Sequence, residues 1–212
     1  ERPIAEPQGD APPHPSTVLL DNRVHGRMFD ALLRALDGAS NVSILTNDFS
    51  IFAFEALRHA LQRVERTRVL LSPKAPGIPV PPPAASLLGG DEERRFRNRL
   101  MGPHVARACS AWIEKQVEVA GIDAPVPHSL FLVSNGRPRT AIQGSSSFNA
   151  PGLGLVPAAR IEMNTQFNGP REVDGFRAYY EGLWDDRRLT TDVKTRMLAE
   201  LEHIAQELVG HE

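Results

Sequence analysis

The sequence predicts an α/β domain with a central mixed β-sheet flanked by helices, and three features carry that prediction. Between Asn41 and Leu71 an apolar run, an amphipathic stretch and a second apolar run follow one another. This is the pattern of a βαβ unit with parallel strands and a right-handed crossover. Leu130-Phe131-Leu132-Val133, the turn residues Ser134-Asn135-Gly136 and then Thr140-Ala141-Ile142-Gln143 read as a strand hairpin, which brings antiparallel pairing into the same sheet. Gly175 to Trp184 and Asp192 to Val209 are amphipathic at helical spacing, the second with Val193, Met197, Leu201, Ile204 and Leu208 on one side, so helices cover the sheet or meet a partner. A chain of 212 residues with 41% hydrophobic content can bury one substantial core. Residues 1–16 are rich in proline and lack periodicity, which makes them an extended arm ahead of one domain over residues 17–212.

From Val24 to Leu36 the apolar residues Met28, Leu32, Ala35 and Leu36 recur at helical spacing, and Gly38 ends that helix. Asn41 to Thr46 reads as a buried strand. Asn47-Asp48-Phe49-Ser50 turns the chain, with Ser50 as cap of a helix over Ile51 to Val64, and Arg68-Val69-Leu70-Leu71 is the next strand. Ligands of such units collect outside the carboxyl ends of the strands, which marks Asp48 and Ser72 as residues near a site. Pro73 to Gly90 is too rich in proline and glycine for regular structure and reads as a long surface loop. Helical character resumes from Asp91 to Gln116, with Asp91, Glu92 and Glu93 suited to the first turn and a break at Gly102-Pro103. Arg94, Arg95, Arg97 and Arg99 read as a solvated face ahead of a phosphate patch. Val117-Glu118-Val119 is a short strand, and Ala150 to Leu155 a turn-rich loop. Ile161, Met163 and Thr165 alternate with Glu162, Asn164 and Gln166, as in a strand with one polar face.

Composition narrows the function classes. The formal net charge of -2 provides no global basic field, so contact with nucleic acid has to come from local patches. The single cysteine, Cys109, excludes a disulfide framework within the chain and fits a reducing compartment; beside Ala108 and Ala111 it reads as a buried structural thiol. No run approaches the roughly 18 apolar residues needed to span a bilayer, and no signal-peptide pattern opens the chain. The expectation is a soluble cytoplasmic protein that makes no membrane contact. His25, His59, His104 and His203 read as surface or capping residues, His104 and Cys109 do not form a metal set, and neither a metal nor another cofactor is expected.

The hairpin also assembles the candidate site. His128 opens its first strand and Gly144-Ser145 ends the second, and antiparallel pairing sets these ends side by side. A histidine facing Gly144-Ser145-Ser146-Ser147, a small hydroxyl-rich turn expected to offer free backbone N–H groups, suits a phosphate. The turn can approach the anion closely, and the imidazole can act as nucleophile or as acid and base.

These residues resemble the phospholipase D superfamily, whose sites combine a His-x-Lys motif with a Gly-Ser-x-Asn strand end. His128-Ser129-Leu130 stands where the first motif would be and Gly144-Ser145-Ser146-Ser147 where the second would be. Leu20 to Gly26, Ser43 to Phe49 and Ile161-Glu162-Met163-Asn164 are similar as well, and together the likeness covers residues 18–205. It extends to the single-copy domains of this kind that precede helicases in bacterial DNA-processing and defence proteins. There are two departures: the motif lysine is Leu130, and the motif asparagine is Ser147. The resemblance implies that His128 attacks phosphorus to form a phosphohistidine and that a second motif histidine protonates the leaving oxygen. With one motif copy per chain, it implies a homodimer that joins two His128 side chains across a twofold axis. It implies catalytic roles for His128, Ser145 and Glu162, with Glu162 orienting His128, and substrate contacts for Gly144, Ser146, Ser147 and Asn164. Leucine supplies none of the lysine's charge. Unless Arg137, Arg139 or Arg160 replaces it, phosphoryl transfer is expected to slow by about two to four decades.

The function expected is therefore that of a phospholipase D-like nuclease or phosphodiesterase-type domain, degenerate in its motif, that acts on or binds nucleic-acid backbone, DNA ahead of RNA. The expected setting is a helicase-associated or restriction or antiphage defence complex. The alternative is a catalytically inactive dimerisation or protein-interaction module of such a complex. Leu130 argues against full activity, and the retained His128, Ser145 and Glu162 argue against a pure interaction module. Lipid hydrolysis is disfavoured because no amphipathic basic helix or aromatic belt is evident.

Overall fold

The computed structural model describes residues 16–89, 93, 101–158 and 160–206. Among the described residues eight strands form one mixed sheet: β1 (Thr17–Leu20), β2 (Asn41–Thr46), β3 (Arg66–Leu71), β4 (Val117–Ile122), β5 (Ser129–Ser134), β6 (Pro138–Gly144), β7 (Asn164–Phe167) and β8 (Thr190–Asp192). Their order across the sheet is β1-β7-β6-β5-β2-β3-β4-β8. Only β2–β3 and β3–β4 pair in parallel; the remaining neighbours are antiparallel. The expected βαβ unit is β2, helix α2 (Ile51–Leu61) and β3, with the Ser50 hydroxyl accepting a hydrogen bond from the Phe52 amide as the N-cap. This cap satisfies one of the amides that the first helical turn leaves without an intrahelical partner.

Central strands are covered on both faces. Along β5, Phe131 and Val133 enter one hydrophobic cluster while Leu130 and Leu132 enter the other, which is why the run carries no polar alternation. The larger core lies between the sheet and helices α1 (Met28–Leu36), α2, α4 (Gly102–Gln116) and α6 (Lys194–Gln206), with Phe54 stacked 4.9 Å from Trp112. The smaller core lies under α5 (Pro170–Asp185), whose Val173 and Tyr180 meet Leu45, Leu70, Leu130 and Ala141. Arg68 of β3 clamps this helix to the sheet: its guanidinium donates to Glu181 at 2.9 Å and lies 5.2 Å from the ring centres of both Tyr180 and Trp184. Cys109 is buried, and its burial pushes the thiol well above the ordinary range, consistent with an inert packing residue.

Several elements differ from expectation. Edge strands β1 and β8 were not anticipated, and the long proline-rich loop contains one short helix, α3 (Ala84–Leu87). The helix expected from Asp91 is described from Gly102; Asp91, Glu92 and the cluster Arg94, Arg95, Arg97 and Arg99 lie outside the described residues. The expected polarity of the strand near Glu162 is inverted. Ile161 and Met163 are 75% and 66% exposed, whereas Glu162 and Asn164 are 3% and 1% exposed. Polar side chains can face inward here because each has hydrogen-bond partners waiting. Among the described residues no helix is long and apolar enough to cross a membrane.

Candidate functional site

The β5–β6 register carries the site. Ser129 pairs with Gly144, so His128 and Ser145 are the next residues out on adjacent strands, and antiparallel geometry holds such neighbours about 5 Å apart at Cα. On the other side of β5, pairing with β2 ends at Leu130 and Leu45; His128 and Asn47 are the second residues beyond that pair. The imidazole is half-buried, tilted against the Tyr179 ring at 5.9 Å, with Nε2 3.5 Å from the Tyr179 hydroxyl. Burial lowers the His128 pKa below its ordinary value, because the charged form loses hydration there. At neutral pH the ring is therefore uncharged, the state a nucleophile requires. A cavity of about 580 Å³ opens beside it, with Leu130 and Gln143 on the sheet and Phe176 and Tyr179 on α5 among its walls.

The Gly-Ser turn is built as a buried polar lattice. Asn164 accepts from the Ser146 amide at 3.0 Å and donates to the Ser146 hydroxyl at 2.8 Å. Ser145 donates its hydroxyl to Glu162, whose other oxygen accepts from Arg160 at 2.8 Å. The Phe148 amide donates to the Thr46 hydroxyl at 3.0 Å, and the Ser147 hydroxyl donates to Asn47 at 2.7 Å. Asn22, held at φ 60, donates to the Gly152 carbonyl and accepts from the Met28 amide, each at 2.8 Å, joining the start of α1 to the turn. The left-handed region is one that asparagine tolerates better than most residues.

This lattice corrects several expectations. Six backbone amides between Ser145 and Gly152 are not free: those of Ser145, Ser146, Phe148, Asn149, Ala150 and Gly152 all have acceptors within the fold, since a buried amide without one would be costly. Ser146, Ser147 and Asn164 are buried and shape the turn instead of presenting a surface to substrate. Gly144 supplies no side chain, and its role is close approach to β7. Glu162 does not orient His128: its partners are Ser145 and Arg160, and the imidazole's hydrogen bond goes to Tyr179. Arg137 and Arg139 belong to the opposite, closed end of the hairpin, where Arg139 donates to the Asp37 carbonyl at 2.8 Å. At about 3.3 Å per residue, a strand the length of β5 separates them from His128. Arg160 alone of the three lies at the turn, and it is tied to Glu162 and the Ser145 carbonyl.

Further residues meet at this corner, and pattern alone marked only some of them. Asp48, expected near the site, accepts from both Asn149 and Lys74 at 2.8 Å. Asn47, just past the end of β2, meets Ser147, the residue standing where the motif asparagine would be, so an amide returns to that corner from another part of the chain. Tyr179 and Asn22 reach the site through long-range packing, for which no short-range signal exists. Replacing Glu162 with alanine is expected to destabilise the fold by about 1–3 kcal/mol, because a buried acceptor of the Ser145 hydroxyl disappears. A urea midpoint shifted downward at unchanged slope would show it.

No family model matches the chain, and no curated protein matches it. Solved structures do. The fold is similar to that of a phospholipase D family member, Nuc from Salmonella typhimurium, at a TM-score of 0.50 and 15% identity over 84% of this chain and 98% of that one. It is similar to phosphatidylserine synthase from Haemophilus influenzae at a TM-score of 0.50 and 13% identity, over 91% of this chain and 44% of that one. The mixed sheet and its flanking helices thus form a phospholipase D-like fold.

Proposed function

We propose that this domain is a degenerate phospholipase D-like nuclease that holds a nucleic-acid phosphate at His128 and retains slow phosphodiester chemistry. The observation that carries the reading is the placement of a neutral, half-buried imidazole beside the Gly144-Ser145 strand end, open to a cavity, on a fold shared with a phospholipase D family member. In the proposed step an imidazole nitrogen attacks phosphorus, a P–N bond forms and a P–O bond breaks. The second His128 of a homodimer, having first taken a proton from solvent, gives it to the leaving oxygen and then accepts one from the water that breaks the P–N bond and frees the first histidine. Leu130 removes the positive charge that would stabilise the transferring group, which makes the chemistry slow and binding the dominant property. Motif resemblance further supports DNA ahead of RNA as ligand and a helicase or other defence-complex partner, and the single, buried Cys109 fits a cytoplasmic setting.

A second reading, a dimerisation module without chemistry, is favoured by the exposed apolar pair Ile161 and Met163 beside the turn. Salt dependence separates the two. Under the first reading, affinity for an oligonucleotide falls steeply with rising salt as phosphate contacts release counterions, and His128→Ala abolishes cleavage of an activated phosphodiester. Salt-independent or absent oligonucleotide binding, with dimerisation intact, would leave only the second.

A further inference from the structure

We propose that the cavity beside His128 is a nucleobase pocket that takes one unstacked base of the strand whose phosphate lies at the imidazole. The proposal rests on the backbone-binding reading above and extends it to a preference for single strands. Its walls are planar and apolar: Phe167 and Phe176 form a tilted ring pair at 5.1 Å, Tyr179 stands against His128, and the buried Leu130 lines the cavity from the sheet. Bases of any sequence stack on such aromatic faces. Gln143 and Glu172 line it as well, offering an amide that both donates and accepts and a carboxylate that accepts, the groups that read base edges.

Among the described residues no lysine or arginine lines the cavity, and Glu172 does. A phosphate is disfavoured inside by that charge, while a neutral ring is not. An acyl chain would cover the polar groups of Gln143 and Glu172 without offering them a partner, which costs free energy. The volume of about 580 Å³ falls within the range of small-molecule sites. Gly175 adds an independent sign. It sits inside α5, where glycine is a poor helix former, and a Cβ there would meet nothing within 4 Å. Packing does not require it, but any larger side chain would project into the cavity that Gly175 lines. Leu130 takes on a meaning too: where the motif lysine would place an ammonium in this space, leucine leaves a surface on which a ring can lie.

The test uses the full chain and fluorescence anisotropy with three probes: a single-stranded DNA oligonucleotide, the same strand with abasic residues, and the duplex. The intact strand is expected to bind at least about 10-fold more tightly than the abasic strand or the duplex, the scale of one stacked base. Gly175→Leu, which fills the cavity from an exposed helix position, should bring the intact strand down to the abasic level and leave abasic binding and the circular dichroism spectrum unchanged. Tyr179→Ala should act in the same direction. Equal affinity for intact and abasic strands would overturn the pocket while leaving backbone binding in place, whereas absence of binding to either would overturn both. Binding of phosphatidylglycerol vesicles that Gly175→Leu abolishes would assign the cavity to lipid, and a change of oligomeric state in that variant would assign it to a second copy; either result overturns the proposal.

Discussion

Leu130→Lys is expected to raise the single-turnover rate on an activated phosphodiester by about 10²- to 10⁴-fold, the range that one preorganised charge contributes to a transition state. The geometry permits the gain. Leu130 and His128 are two residues apart and therefore share a face of β5, and Leu130, although buried, lines the cavity into which His128 opens. A lysine there can lay its stem along the leucine position and carry its ammonium outward. Loss of apolar packing and partial burial of the charge are expected to lower stability by about 1–3 kcal/mol. Leu130→Met, similar in volume but uncharged, should show no acceleration. Because the ammonium would occupy space assigned to a base, the gain should appear in kcat and not in KM. A folded Leu130→Lys variant with an unchanged rate would mean that His128 is not poised for phosphoryl transfer.

Gly144→Ala should produce the largest stability loss of any single methyl added near the site, about 2–4 kcal/mol. A Cβ at Gly144 would meet the Met163 carbonyl oxygen at 2.3 Å, the Asn164 Oδ1 at 2.4 Å and the Asn164 Cα at 2.5 Å. Two of these atoms are backbone of the segment that pairs with Gly144, and the third is the acceptor of the Ser146 amide. Relief requires pulling β7 away from β6, which breaks the lattice that holds Ser145. Gly182→Ala in α5, where a Cβ meets nothing within 4 Å, is the control, expected to hold or slightly raise the denaturation midpoint. Equal midpoints for the two variants would show that close strand approach at Gly144 does not constrain the site.

What the sequence disclosed follows from the range of the forces involved. The βαβ unit and the β5–β6 hairpin were legible because period and turn chemistry act over a few residues. Strands β1 and β8 were not, since each is short and pairs across the chain, Thr17 with Phe167 and Asp192 with Ala120. The site divides along the same line. His128 and Ser145 could be placed together from the hairpin alone. The fate of the turn's amides could not, because their acceptors, Thr46, Glu93, Asn164 and the Met163 carbonyl, come from distant elements. Burial of Glu162 and Asn164 in place of Ile161 and Met163 has that origin too: hydrophobicity favours the apolar pair inside, and only the lattice of partners reverses the choice.

The imidazole of His128 offers the most direct test. Burial holds its pKa below the ordinary value near 6.5, so in that window the unfolded chain binds more protons than the folded one, and stability falls as pH drops through it. An anionic phosphate docked at the ring favours the charged form and acts against that burial. Proton NMR of the His128 ring across pH 4–9, with and without a saturating single-stranded oligonucleotide, reads both effects together. The structure predicts a midpoint below 6.5 for the protein alone and a clear upward movement on saturation; a midpoint that stays where it was, with the oligonucleotide demonstrably bound, would contradict a phosphate at His128.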